Sequence, residues 1–268
     1  MIEKLVQTLE QVRNEAPLIH CITNHITIDK CADILLAAGG RPIMAEHPKE
    51  VCAITKTSRA LAVNLGNITN TRMEAIRISG EAARQERIPS VIDLVGVAVS
   101  PLRLTFAKQY IAQSSPWVIK GNVSEIRALC GMSTEAKGID AGAQDRLEEE
   151  RLRLLSKQTK AVIVVTGAVD LVCNEEVIYR MQNGTPKLSR VTGTGCMVNV
   201  LTGLYLSQGD PLVGALLGVC TMGIAGELAD EKTSGIGSFY TALLDEIDGL
   251  GGNTLRTCIR WEKTKWKN

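Results

Sequence analysis

Six short, near-continuous apolar runs alternate with longer stretches of helical periodicity, and this alternation constrains the chain more than any other feature. The runs occupy 18–22, 42–45, 61–65, 90–95, 117–120 and 162–166. Apolar runs of strand length with no polar face suit parallel strands covered on both sides. Helical patterns fall at 3–14, 26–38, 48–58, 70–87, 102–113, 123–131 and 141–159. Residues 171–173 and 177–180 straddle Asn174-Glu175-Glu176 and read as a hairpin, and from 194 onward the pattern is mainly helical to the end. Such alternation predicts an α/β fold, a doubly wound and mostly parallel sheet with helices on both faces. No linker, repeat or low-complexity segment divides the chain, so the expectation is one domain over residues 1–268.

Charge narrows the class of partner. With 30 basic against 29 acidic side chains the net charge is +1, and no long-range field gathers nucleic acid or anionic lipid. Eight cysteines are scattered without a Cys-x-x-Cys pair, and no charged n-region with an apolar run follows the first residue. Reduced thiols and a cytoplasmic protein are the expectation. Residues 191–226 carry one charge, Asp210, and resemble a membrane hairpin in composition. Gly193, Gly195 and Asn199 interrupt its first half and Gly209-Asp210-Pro211 makes a turn, so buried helices are expected there.

Several strand candidates end in polar or glycine residues: Thr23-Asn24, Asn64 to Gly66, Asp93, Lys120-Gly121-Asn122 and Thr166-Gly167. Sites in doubly wound sheets gather at those carboxyl ends. The segment with the clearest chemistry is Val191-Thr192-Gly193-Thr194-Gly195-Cys196, which opens a helical run. Two glycines there free backbone N–H groups to converge on an anion, and the helix dipole favours negative charge at the same point. A plain glycine-rich helix entry would look the same. No Gly-Lys-Ser/Thr follows, so this is not a Walker A loop, and no Gly-x-Gly-x-x-Gly follows the first strand.

The segment resembles the Gly-Ala-Gly-Asp anion hole of ribokinase-like kinases, with Cys196 where most members carry a catalytic Asp. A cysteine there marks the hydroxyethylthiazole kinases. Other segments are similar to that family in order: residues 17–24 (Pro-Leu-Ile-His-Cys-Ile-Thr-Asn), Leu35-Leu36-Ala37, Pro42-Ile43-Met44-Ala45, Asn64-Leu65-Gly66, residues 121–126, Lys137-Gly138-Ile139-Asp140, and residues 165–170. The resemblance implies a ribokinase-like fold and ATP-dependent phosphorylation of 4-methyl-5-(2-hydroxyethyl)thiazole, a salvage step towards thiamine. It also implies Mg²⁺ as cofactor and a homotrimer with sites at subunit interfaces.

Roles carry over by position. Met44, Gly193 and Asn24 match substrate-side residues, Lys120 and Thr166 fall where the family binds ATP, and Asn122 with Glu125 matches an Asn-x-x-Glu motif that organises Mg²⁺ and phosphates. Asp93 matches an Asp near the phosphates, and Gly193, Thr194, Gly195 and Cys196 form the catalytic anion hole. On spacing alone Asn122 is also an N-cap with Glu125 at the third position of a capping box. Cys196 at a helix N-terminus is expected to have a lowered pKa and act as base, or to be a small residue closing the site. Asp93-Leu94-Val95-Gly96 lacks the family's usual Pro, Arg41 is a cation just before Met44, and Lys120 replaces an Arg and its bidentate fork. His20, Cys21 and His25 match no zinc spacing and read as packing, Glu148 to Arg153 reads as a solvated helix face, and Trp261 and Trp266 have no assigned role. A kinase for hydroxymethylpyrimidine or pyridoxal, and a non-catalytic relative that senses thiazole or nucleotide, are the alternatives.

Overall fold

The computed structural model describes residues 1–132 and 149–266. Lys137 to Asp140, Glu148 and the first half of the helix expected over 141–159 lie outside the described residues. Six strands are parallel: β1 (Leu18–Ile22), β2 (Arg41–Ile43), β3 (Ala60–Asn64), β4 (Ser90–Asp93), β5 (Val118–Asn122) and β6 (Val162–Thr166). Three more, β7 (Asp170–Cys173), β8 (Val177–Met181) and β9 (Trp261–Lys265), extend the sheet antiparallel. The order across the sheet is β2-β1-β3-β4-β5-β6-β7-β8-β9.

Helices cover both faces, as expected, because strand residues alternate between two cores. On β3, Ala60 and Ala62 face one core while Leu61 and Val63 face the other, and on β6 Val162 and Val164 oppose Ile163 and Val165 in the same way. The first core is built with α1 (Ile2–Glu15), α2 (Ile28–Ala37), α8 (Thr194–Leu206), α9 (Pro211–Lys232), α10 (Ile236–Asp248) and α11 (Gly252–Cys258). The second is built with α3 (Val51–Thr57), α4 (Asn70–Gln85), α5 (Pro101–Ser114), α6 (Val123–Leu129) and α7 (Glu149–Thr159). The connection from β1 to β2 runs through α2 on the first face, and the return to β3 runs through α3 on the second. The winding therefore reverses between β1 and β3, the kind of switch point at which open sheets leave a crevice.

The apolar stretch over 191–226 is interior. Among the described residues α9 is the one helix long and apolar enough to cross a membrane, and 83% of its apolar window is buried in the protein. Gly209 turns the chain at φ +87° and Asp210 caps α9, accepting the N–H groups of Leu212 and Val213. The α8–α9 contact is close: a Cβ on Gly218 would lie 2.4 Å from Thr202 Oγ1 and 2.8 Å from the Thr202 nitrogen.

One expectation fails at the C-terminus. Residues 261–265 are not helical but form β9 on the edge of β8, with Trp261 opposite Met181. Trp-Glu-Lys-Thr-Lys is almost entirely exposed, so it has no apolar period to read; the open edge of β8 supplies its hydrogen-bond partners. The two tryptophans pin this strand. Trp261 meets the Tyr179 ring edge-on at 5.3 Å, and Trp266 Nε1 donates to the Asn174 carbonyl at 2.7 Å.

Candidate active site

The parallel strands deliver their polar ends to one rim, and α8 points its N-terminus at that rim. Gly193 is the N-cap of α8 at φ +96°, where a Cβ would lie 2.4 Å from Thr27 Cγ2. Only glycine fits that left-handed, crowded position. The first helical hydrogen bond runs from the Met197 N–H to the Gly193 carbonyl at 2.9 Å, and no side chain caps this end. The N–H groups of Thr194, Gly195 and Cys196 therefore open onto the rim, with the positive end of the helix dipole behind them.

A buried ion pair faces this helix end. Lys120 Nζ lies 3.0 Å from Asp93 Oδ2 and 3.5 Å from where a Cβ on Gly195 would stand. Burial pushes the Asp93 carboxyl up, to about 6, against the opposing pull of the Lys120 ammonium. Burial by itself would lower Lys120, but the adjacent Asp93 outweighs it and the ammonium is held above its ordinary value. Lys120 is thus a fixed positive charge beside the α8 N-terminus. Asp93 Oδ1 is buried and accepts no hydrogen bond.

Asn64, at the end of β3, joins the rest. Its Nδ2 lies 3.0 Å from Asp93 Oδ2 and 3.3 Å from Cys196 Sγ, while its Oδ1 accepts the Gly66 N–H at 2.8 Å. Asn24, at the end of β1, donates to the same sulfur at 3.2 Å. Asn24 and Asn64 thus flank the switch point and both converge on Cys196. Burial first, then Asp93, raises the Cys196 pKa against smaller opposing contributions from Thr27, Lys120 and Asn24. This corrects the expectation of a lowered value: the thiol is desolvated beside a carboxylate, and that outweighs its place at a helix N-terminus. Cys196 is a neutral thiol whose sulfur accepts two amide N–H groups.

Asn122 and Glu125 realise the capping box at the start of α6. Asn122 Oδ1 accepts the Glu125 N–H at 2.9 Å, and Glu125 Oε2 accepts the Asn122 N–H at 2.8 Å. Glu125 Oε1 also takes the Gly96 N–H at 2.9 Å, tying the turn after β4 to that after β5. Beside α8 lies a cleft of about 590 Å³, lined by Thr166, Gly167, Asp170, Thr194, Gly195 and Val198 among others. Burial raises the Asp170 carboxyl to about 6, although the Gly167 N–H and Lys120 oppose this.

Asn24, Asp93, Lys120 and Gly193 to Cys196 therefore meet at one point, Glu125 and Asn122 border it, and Thr166 lines the cleft. Met44 stands in the loop after β2, half-buried against the first core, and does not line the cleft. Arg41 is exposed and donates to the Ala16 carbonyl at 2.7 Å. His20 is a core residue, bonded to Thr55 Oγ1 and the Ala45 carbonyl, whereas His25 pairs with Glu46 at the surface. Sequence reasoning did not single out the joining role of Asn64, although its place at a strand end was a signal. Two more residues were missed: Thr27 against Gly193, and Arg72. The fully buried Arg72 guanidinium donates to the carbonyls of Thr23, Gly66 and Asn67 and lies 3.2 Å from Glu46. It sits among ordinary polar positions of the α4 pattern and gave no signal.

The chain is similar to known proteins over nearly its whole length. The sequence model of the hydroxyethylthiazole kinase family matches residues 9–252. "Hydroxyethylthiazole kinase 2" of Clostridium botulinum (strain Okra) is 46% identical over 262 residues, covering 95% of this chain and 98% of that protein. The solved structure of a hydroxyethylthiazole kinase protein from Pyrococcus horikoshii OT3 superposes with a TM-score of 0.90 at 30% identity, covering 98% of this chain and 99% of that one. A ribokinase-like superfamily protein from Enterococcus faecalis V583 shares the fold at a TM-score of 0.62 and 12% identity, over 92% of this chain and 95% of its own.

Proposed function

The chain belongs to the hydroxyethylthiazole kinase family, and from that premise we propose that it transfers the γ-phosphoryl group of ATP to the primary alcohol of 4-methyl-5-(2-hydroxyethyl)thiazole, a salvage step towards thiamine. The observation that carries this reading is the meeting of three open N–H groups at the α8 N-terminus with the Lys120 ammonium, beside a cleft of nucleotide size. Charge spread over a transferring phosphoryl group is what such a site stabilises.

In this mechanism ATP lies in the cleft against Thr166 and reaches the α8 N-terminus with its terminal phosphate. The alcohol enters from the β1–β3 side, past Asn24, Gly193 and Met44. Its oxygen forms the new O–P bond as the bond to the β-phosphate breaks, and ADP leaves with the bonding electron pair. The N–H groups of Thr194, Gly195 and Cys196 and the Lys120 ammonium hold the developing charge. A neutral Cys196 is no acceptor for the alcohol proton, which passes late in a loose transition state to an oxygen of the transferred phosphoryl group and from there to water. Cys196 instead fixes Asn24 and Asn64.

Mg²⁺ fits the residues present. Asp93 Oδ1 is buried without a partner, and each Glu125 oxygen accepts one backbone N–H and keeps a lone pair. No described cluster of three or more His, Cys, Asp or Glu could hold a metal by itself, which suits an ion held by few carboxylates, water and phosphates. When bound, it would neutralise phosphate charge, with Glu125, Asp93 and Asn122 nearby. Further parts of the proposal are that residues 1–268 act as one unit, that three chains assemble with sites at their interfaces, and that the enzyme works in the cytoplasm.

A coupled assay of ADP release with ATP and Mg²⁺ tests the reading. Turnover is expected with the thiazole alcohol and little with hydroxymethylpyrimidine or pyridoxal. Preference for either of those would reassign the substrate. Binding without ADP release from any of them would make the chain a sensor.

A further inference from the structure

The segment between β8 and α8 forms one wall of the cleft, contributing Asn183, Gly184, Thr185, Pro186, Leu188 and Ser189. It then runs directly into Gly193, and Thr194 Oγ1 donates back to the Leu188 carbonyl at 3.1 Å. Whatever sets the position of this strap sets the width of the cleft.

The strap has almost no structure of its own beyond a short 3₁₀ turn, Pro186–Arg190, and is held from behind. Glycines on α9 let it lie on the helix backbone: a Cβ on Gly223 would stand 2.8 Å from the Asn183 carbonyl oxygen, and one on Gly226 would stand 2.9 Å from Leu188 Cδ1. Glu227, on the same helix, accepts the Gly184 N–H at 2.7 Å and Asn183 Nδ2 at 3.0 Å. One turn on, Asp230 accepts from Thr185 and pairs with Lys187.

The C-terminal segment then locks Glu227. Arg260 reaches both of its carboxylate oxygens, at 3.1 and 2.5 Å, in a forked pair. The Arg260 N–H donates to Asn183 Oδ1 at 2.7 Å, and Asn183 Nδ2 also donates to the Cys258 carbonyl at 2.9 Å. Arg260 lies beyond the residues that the family model matches, immediately before the strand the sequence did not reveal.

We propose that Glu227 and Arg260 are positioning residues for the nucleotide, and that the C-terminal segment serves to hold the strap at the spacing ATP requires. This rests on the cleft being the nucleotide site. Neither residue lines the cleft, so both act through Asn183 and Gly184.

The test is steady-state kinetics together with equilibrium binding of a non-hydrolysable ATP analogue. Arg260→Gln and Glu227→Gln should each raise KM for ATP and the analogue Kd about tenfold, with KM for the alcohol unchanged and kcat within about threefold. Arg260→Lys keeps the charge without the fork and should restore part of the affinity. Lys265→Gln, further along β9, should behave as wild type. Unchanged ATP affinity in folded Arg260→Gln protein would overturn the proposal, and so would parallel loss for both substrates with a lowered Tm. Because Arg260 is half exposed, its variant carries the test if Glu227→Gln does not fold. Photolabelling with 8-azido-ATP separates the two ways of failing. Label on the strap, α8 or α9 upholds the cleft as the nucleotide site, and label elsewhere removes that premise itself.

Discussion

At the scale of single residues, the resemblance to ribokinase-like kinases implies an Asp base where this chain has Cys196, and the surroundings of the thiol argue against that role. Two amide groups point N–H at its sulfur, and desolvation with a nearby carboxylate raises its pKa. Cys196→Ala should therefore lower kcat by no more than about tenfold, since positioning and charge stabilisation remain. Abolished turnover with ATP binding intact would restore the base. The thiol should also alkylate with iodoacetamide more slowly than a free cysteine near neutral pH, because a raised pKa leaves less thiolate, and the rate should keep climbing above pH 9. Mass spectrometry of the Cys196 peptide reads this directly. Glu125 poses the opposite case, a cap and a candidate metal contact in one side chain. Glu125→Gln keeps one acceptor oxygen and so one of the two N–H bonds, which should lower Tm by only a few degrees while the Mg²⁺-dependent rate falls about a hundredfold. A rate loss explained by a lowered Tm would leave only the cap.

At the scale of elements, function depends on how closely α8 approaches its neighbours. Gly193 gives the chain a left-handed turn against Thr27, and that turn aims three N–H groups at the rim. Gly193→Ala should cost about 1–2 kcal/mol for the backbone conformation alone, more with the Thr27 clash, and should reduce kcat sharply. A denaturant melt and a rate assay together check it; full activity would mean the hole is not used. Deeper in the molecule, Gly218 lets α9 lie against Thr202 of α8. Gly218→Ala should destabilise by about 1–3 kcal/mol through overpacking, with KM values little changed in the protein that folds. Loss of substrate affinity without loss of stability would show that this contact shapes the site.

For the molecule as a whole, one sheet gathers the ends of six parallel strands on one rim, and α8 meets them there. Met44 lies off the cleft in the single chain, which is the arrangement expected if a neighbouring chain completes the acceptor side. Sedimentation velocity should give a trimer, and a monomer with full turnover would remove the interface from the proposed site. The strands were legible because a parallel strand buried on both faces must be apolar throughout, so its length and ends stand out in the chain. Two strands, Leu18–Ile22 and Val162–Thr166, match the apolar runs residue for residue. β9 was not legible because an exposed edge strand carries no such pattern.

The sequence by itself determined the alternation of strands and helices, the glycine entry to α8, the capping box at Asn122 and the family. Each of these is local, set by side-chain period, backbone freedom or a short motif. Tertiary structure alone decided that Asn24 and Asn64 would meet on Cys196, that Lys120 would face both Asp93 and the α8 N-terminus, and that Arg72 would be buried among three turns. The protonation state of Cys196 and the anchoring of the strap belong with them. All of these depend on groups far apart in the chain, and desolvation and charge proximity exist only once those groups have been brought together.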